Sequence, residues 1–219
     1  MDDSTRDRIR RATVTVTDRI TGNTGRGFVV HGGYILTAAH CVPWDCQGGM
    51  ALDKPFSINV ITANNITLTG HVVAVEPVSD IAVIGSPDDR FPGIARSFES
   101  FTETAEALML CADEFPLDEE FPVHIFTRLA EWLPGKAAQQ KKRSILSVTT
   151  APTVPDGTSG SAIVNDKGEV VGVVSNSSEL VSGGSATQEP GDGTCARPCQ
   201  ALPVWLWRAI KVAENEARP

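Results

Sequence analysis

From about residue 12 onward, apolar and polar positions alternate with the two-residue period of half-buried strands. Val14 and Val16 are interleaved with Thr13, Thr15 and Thr17. A turn cluster at Thr21-Gly22-Asn23-Thr24-Gly25 leads to Gly27-Phe28-Val29-Val30. His31-Gly32-Gly33 then turns the chain into Tyr34-Ile35-Leu36-Thr37. Further strands are expected at residues 57–62, 67–75 and 80–84. Residues 88–93 read as a connector, and the forty that follow as mixed strand and loop. Within them 107–111 and 123–127 look extended, whereas Pro134-Gly135-Lys136 and 139–143 look like solvated loop. Strand character resumes at 144–150, and Ala162-Ile163-Val164 and Glu169–Val174 flank a hairpin signal, Asn165-Asp166-Lys167-Gly168. Only the two ends differ. Residues 1–11 form a charged, flexible or helical lead-in, and residues 204–213 after Pro203 have helical period. Many short strands separated by turn signals predict an all-β sandwich or barrel architecture.

Composition narrows the function more than the fold. The 219 residues are 41% hydrophobic and 21% charged, and the net charge is −8. An acidic chain without a basic, aromatic-studded patch is a poor nucleic-acid ligand. No apolar run approaches the roughly 18 residues that a membrane helix needs. The start, Met1-Asp2-Asp3-Ser4, carries no hydrophobic leader, which points to a cytoplasmic protein, with an excised domain of a larger or secreted protein as the other reading. Of the five cysteines, Cys41/Cys46 and Cys195/Cys199 are close enough to pair locally, although a fully reduced set fits equally well. Cys111 lies in an apolar run, Ala107-Leu108-Met109-Leu110-Cys111, and reads as a buried small hydrophobe. No His/Cys cluster has metal-ligand spacing, so neither metal nor cofactor is expected.

Three stretches carry chemistry. Gly157-Thr158-Ser159-Gly160-Ser161 surrounds a serine with glycines, which let a backbone turn sharply and bring its N–H groups near a reacting atom. A serine nucleophile needs such an exposed turn and converging donors for a developing oxyanion. Thr37-Ala38-Ala39-His40-Cys41 sets a histidine at the end of one strand, and Ser79-Asp80-Ile81-Ala82-Val83 sets an acid at the start of another. Singly, His40 would suit a satisfied loop histidine and Asp80 a strand-start residue. Together, in the order His, Asp, Ser, they form the set that activates a serine hydroxyl.

With these motifs the chain resembles the trypsin/chymotrypsin-like serine proteases over residues 12 to 213. The stretches Gly25–Val30, Tyr34–Thr37 and Ala201-Leu202-Pro203-Val204 are similar to bacterial glutamyl-endopeptidase and high-temperature-requirement types. The resemblance implies two perpendicular six-stranded β-barrels: one over about 12–87, the second over about 100–203, with a closing helix at 204–215. It implies a hydrolase, a serine endopeptidase acting on protein or peptide substrates. His40 would be the general base, Asp80 its orienting acid and Ser159 the nucleophile, with the N–H groups of Gly157 and Ser159 as the oxyanion hole. It also places Thr153 at the base of the primary specificity pocket, and Ser175, Asn176 and Ser177 on the strand that pairs with substrate. Ser161 is expected to pack rather than react.

Two departures matter. Thr158 stands where the digestive relatives carry the aspartate that receives a freed amino terminus, so terminus-triggered activation is not expected. The usual partner of the cysteine after the histidine would fall near Gly25, leaving Cys46 as the nearby candidate for Cys41. The charged lead-in and the 177–195 insertion leave room for control by a partner or neighbouring domain. A protease-like module that binds peptide without turnover is the alternative reading.

Overall fold

The computed structural model describes residues 1–44, 51–87, 92–116, 119–139, 145–175 and 192–218. The lead-in is helix α1 (Asp3–Ala12), started by Asp2, whose carboxylate accepts the Thr5 N–H at 2.7 Å. Acidic Asp3 in the first turn and Arg10 and Arg11 in the last suit the helix dipole. Six strands follow: β1 (Thr13–Asp18), β2 (Thr24–Val30), β3 (Tyr34–Ala38), β4 (Ala51–Ile61), β5 (Thr67–Glu76) and β6 (Ile81–Gly85). They pair antiparallel in the order β1-β2-β3-β6-β5-β4, and β4 returns to β1 to close a barrel.

A second set of six comprises β7 (Glu120–Phe126), β8 (Trp132–Gln139), β9 (Ile145–Thr150), β10 (Ala162–Val164), β11 (Val170–Val173) and β12 (Asp192–Ala196). Its order is β11-β10-β7-β8-β9-β12. The two edge strands nearly meet, since a Cβ on Gly172 of β11 would strike the Cys195 sulfur of β12. This is the expected pair of six-stranded barrels, one closed and one almost so.

Strands β6 and β10, and the Phe28–Val30 end of β2, are apolar without a break because both faces are buried. In the first barrel Val29, Ile35, Ala82 and Ile84 point into the interior. Their neighbours Phe28, Val30, Leu36, Ile81 and Val83 join Phe126, Ala162, Val164, Val170 and Val173 of the second barrel in a shared core. Ile163 and Val171 point the other way, into the second barrel's own interior with Val123, Ile125 and Leu146. The period-two rule therefore holds, with a hydrophobic partner on each side.

Two elements differ from the sequence expectation. The stretch after the connector is not strand and loop but helix α2 (Pro92–Thr104), which buries Ala95, Phe98 and Thr102 at helical spacing. Phe98 plugs the first barrel, in room left by Gly70, whose added Cβ would lie 2.9 Å from the Phe98 ring. Pro134-Gly135-Lys136 is not a loop but the middle of β8, paired with His124, Val123 and Pro122. Residues 140–143 lie outside the described residues.

Helices α3 (Pro198–Ala201) and α4 (Val204–Glu216) close the chain, α4 burying Leu206 and Ile210 against the shared core. Glu214 of α4 is 1% exposed. It accepts the Leu110 N–H at 2.9 Å and pairs with Lys211, so the segment between the barrels is held to the last helix. Among the described residues no helix is long and apolar enough to cross a membrane. Removing Glu214 would strand a buried N–H and an ammonium. Glu214→Ala should therefore cost about 3 kcal/mol of unfolding free energy, readable as a lower denaturant midpoint.

Candidate active site

The β3–β6 pairing brings the first two candidate residues together. Ala38 lies opposite Ile81, and one residue further the Ala39 N–H donates to the Asp80 carbonyl at 3.1 Å. A single 3-10 turn, Ala39–Cys41, then swings His40 over Asp80. Asp80 itself sits at φ +51°, a left-handed conformation that Asp tolerates better than most residues. That bend presents its carboxylate to three donors. The His40 N–H binds Oδ1 at 3.0 Å, the His40 ring Nδ1 binds Oδ2 at 2.7 Å, and the Ser175 hydroxyl binds Oδ2 at 2.5 Å.

These contacts set the charges. Burial alone would raise the Asp80 pKa, but the hydrogen bonds from His40 and Ser175 hold it below the usual carboxylate value. For His40 the Asp80 hydrogen bond, helped by the Cys41 sulfur and opposed by burial, raises the pKa from 6.5 to about 10. The ring keeps 41% of its side-chain surface in solvent, leaving its far edge open.

The Ser159 turn is pressed onto the first barrel. The Arg26 N–H of β2 donates to the Ser159 carbonyl at 2.7 Å. Gly160, at φ +86°, has no space for a side chain: a Cβ would fall on the Arg26 carbonyl and within 2.5 Å of the Thr37 hydroxyl. Gly25 is equally confined, since its Cβ would strike the Cys41 sulfur and lie 3.0 Å from the Ser159 carbonyl. On its other side the turn is bound to the second barrel by Gly160 N–H to Val174 O at 2.7 Å and Val174 N–H to Ser161 O at 2.9 Å.

Within the turn the amides divide in two. The N–H groups of Thr158, Gly160 and Ser161 donate to carbonyls of Pro155, Val174 and Thr158. Those of Gly157 and Ser159 have no acceptor among the described residues. Thr158 is fully buried, and its hydroxyl accepts the Arg128 N–H at 3.2 Å. Ser161 is buried too, its hydroxyl without a partner among the described residues. Ser159 is half-buried, and its hydroxyl makes no hydrogen bond there either, so no Ser159–His40 bond is closed in this structure.

Ser175, expected on a substrate-pairing strand, donates its hydroxyl to Asp80. Thr153 lies in an exposed stretch after β9. Asn176, Ser177 and Cys46 fall outside the described residues. Cys41, Cys195 and Cys199 are free thiols, so no Cys195–Cys199 bridge exists. The physical reason is direction: Cys195 faces Gly172 inside the second barrel, whereas Cys199 belongs to α3. Among the described residues one group of potential metal ligands, Cys111, Asp113 and Glu169, lies away from these motifs in sequence, with donor atoms within 4.8 Å of one another. Arg128 carried no signal in the sequence, because only the folded β7–β8 turn brings it to Thr158.

A family model described as "Trypsin-like peptidase domain" matches residues 25–173. HhoB, a serine protease homologue of Synechocystis sp., is 24% identical over 151 residues, 68% of this chain and 33% of HhoB. The chain thus spans about a third of the length of the curated relative it matches. Among solved structures, a serine endoprotease from Yersinia pestis superposes with TM-score 0.59 at 19% identity, covering 96% of this chain and 68% of that one. The HtrA-type protease AlgW with tripeptide gives 0.60 at 18%, covering 94% and 63%. The active form of Rv3671c protease from M. tuberculosis gives 0.58 at 16%, covering 90% and 82%. These likenesses establish the fold.

The Asp80 contact makes a direct prediction for His40. An NMR titration of the imidazole should give a pKa of about 10, and Asp80→Asn should return it toward 6.5. Gly160→Ala, strained and sterically blocked, should cost more than about 2 kcal/mol of stability in chemical denaturation.

Proposed function

Because this chain belongs to the trypsin-like peptidase domain family, we propose that it is a serine endopeptidase that cleaves protein substrates through an acyl-enzyme on Ser159. One observation carries the reading. The two N–H groups left without acceptors, on Gly157 and Ser159, belong to the glycine-flanked turn, whose Ser159 carbonyl is bonded to the barrel that carries the His40–Asp80 pair.

The steps follow from the residues. Asp80 accepts the Nδ1 proton of His40, so the opposite ring nitrogen is the one that takes the Ser159 proton as the hydroxyl oxygen attacks the scissile carbonyl. The carbonyl oxygen gains negative charge and is met by the Gly157 and Ser159 amides. The imidazolium is stabilised by Asp80, then gives its proton to the leaving amine, and water repeats the sequence to release the acyl group. Ser175 acts as a positioning residue, since its hydroxyl fixes the carboxylate that orients the ring. The backbone at Val174 and Ser175 would pair with the acyl half of the substrate as an added strand.

Thr158 supports activation without a freed terminus, because a neutral hydroxyl satisfied by Arg128 N–H makes no buried salt bridge. Regulation would come from a partner or neighbouring domain, consistent with the greater length of HhoB. The open Ser159–His40 gap favours a second reading, a peptide-binding module without turnover. Catalytic hydrogen bonds often close only around substrate, which leaves the peptidase reading ahead.

The test is labelling by a fluorophosphonate together with a proteome-wide cleavage profile. Ser159→Ala should abolish both, with turnover falling about a millionfold. Peptide held over long incubation without Ser159-dependent cleavage would favour the binding module. The pH profile has a definite sign. His40 accepts a proton only when neutral, so kcat/KM should still rise above pH 8, toward the His40 pKa of about 10. Ser175→Ala, losing one hydrogen bond of about 2 kcal/mol to a carboxylate, should slow kcat by roughly thirtyfold with little change in KM.

A further inference from the structure

The turn joining β7 to β8 carries a cation that nothing in the described chain neutralises. The reversal is tight: the Thr127 N–H donates to Glu131 O at 2.9 Å, the Ala130 N–H to Thr127 O at 3.0 Å, and Ala130 sits at φ +61°. Arg128 is therefore fixed at its base. Its backbone N–H is committed to Thr158, and its side chain lies along Gly157, whose absent Cβ would be 2.8 Å from Cδ and 3.1 Å from Nη1. The residue is exposed. Arg6, Arg10 and Arg11 each pair with a carboxylate, but among the described residues the Arg128 guanidinium pairs with none. A second unpaired guanidinium, that of Arg26, borders the same turn, 5.3 Å from the centre of the Phe126 ring.

A planar cation with a pinned stem and an unpaired head is a carboxylate receptor. On the peptidase reading proposed above, on which this step rests, the acyl half of the substrate follows Val174 and Ser175. Those residues are bonded to Gly160, Ser161 and Asp80. Arg128 reaches the turn from a different hairpin, at Gly157, so the chain it meets is the half that departs. We infer that Arg128 is a specificity-determining residue selecting substrates with Asp or Glu in the first two positions beyond the scissile bond.

The size of the effect follows from exposure. A solvent-facing ion pair supplies about fivefold discrimination and is screened by salt. The chain is first given a proteome-derived peptide library. A cleaved sequence is then remade as internally quenched peptides carrying Glu, Gln or Lys just beyond the bond. Wild type should prefer Glu to Lys about fivefold, less so in 1 M salt. Arg128→Glu should reverse the order, Arg128→Gln should level it, and Arg128→Lys should keep it. Each preference is a ratio within one variant, so any change in the amount of folded enzyme cancels. If wild type and Arg128→Glu rank the Glu and Lys peptides alike, the assignment to Arg128 falls while Ser159-dependent cleavage stands. If no cleavage depends on Ser159, both readings fall.

Discussion

The geometry of this molecule depends on one backbone crossing, where the Ser159–Gly160 turn of the second barrel lies flat on β2 of the first. The Arg26 N–H to Ser159 carbonyl bond closes that contact, and the Arg26 carbonyl occupies the space a Gly160 side chain would need. Two hydrophobic barrels could slide or rotate against each other across a shared apolar core, because the hydrophobic effect is non-directional. A main-chain hydrogen bond between glycine-lined backbones cannot slide. It converts loose association into a fixed register, and only then does the Ala39–Cys41 turn that follows β3 sit reproducibly beside the second barrel's turn.

The same crossing makes the local charge pattern tolerable. Asp80 keeps only 14% of its side-chain surface exposed, yet three donors serve it, one of them from the far barrel. Its depressed pKa adds stability above 3.8, the unfolded value, and that stability is lost as pH falls through the folded value. His40 works in the opposite direction. Its contribution is complete below 6.5 and disappears as pH rises through about 10. The pair therefore stabilises the fold most between 3.8 and 6.5, where both contributions are complete, and the partly exposed ring keeps the effect modest.

What could be read from the sequence divides along physical lines. Strand positions, the His40, Asp80 and Ser159 motifs and the C-terminal helix were legible because they depend on local period and turn chemistry. Helix α2 was not. Its three buried residues are spread through a largely polar stretch, and the decisive one, Phe98, is fixed by a hole over Gly70 in a distant strand. Strand β8 was misread because Pro134 and Gly135 are turn formers in isolation. In the sheet Gly135 is required, since a Cβ there would lie 2.8 Å from the Thr149 carbonyl of β9. Ser175 was placed near the site without its bond to Asp80, and Arg128 was invisible. Both depend on contacts between segments more than 25 residues apart, Ser175 with Asp80 and Arg128 with Thr158, which no local pattern encodes.

The division of the turn's amides shows how sequence produces a receptive site from ordinary parts. A turn this short normally satisfies its N–H groups internally or with neighbours. Here Thr158 directs its hydroxyl inward to Arg128 rather than back to the turn, and Gly160 gives its N–H to Val174. The two remaining amides, on Gly157 and Ser159, have no acceptor left within reach among the described residues. At Gly157 a φ of +76° is the reason a glycine is needed, and at the same residue Arg128 fills the side where a Cβ would stand. The backbone thus leaves those donors unpaired within the described chain, and desolvating them without a partner would cost about 1–3 kcal/mol each.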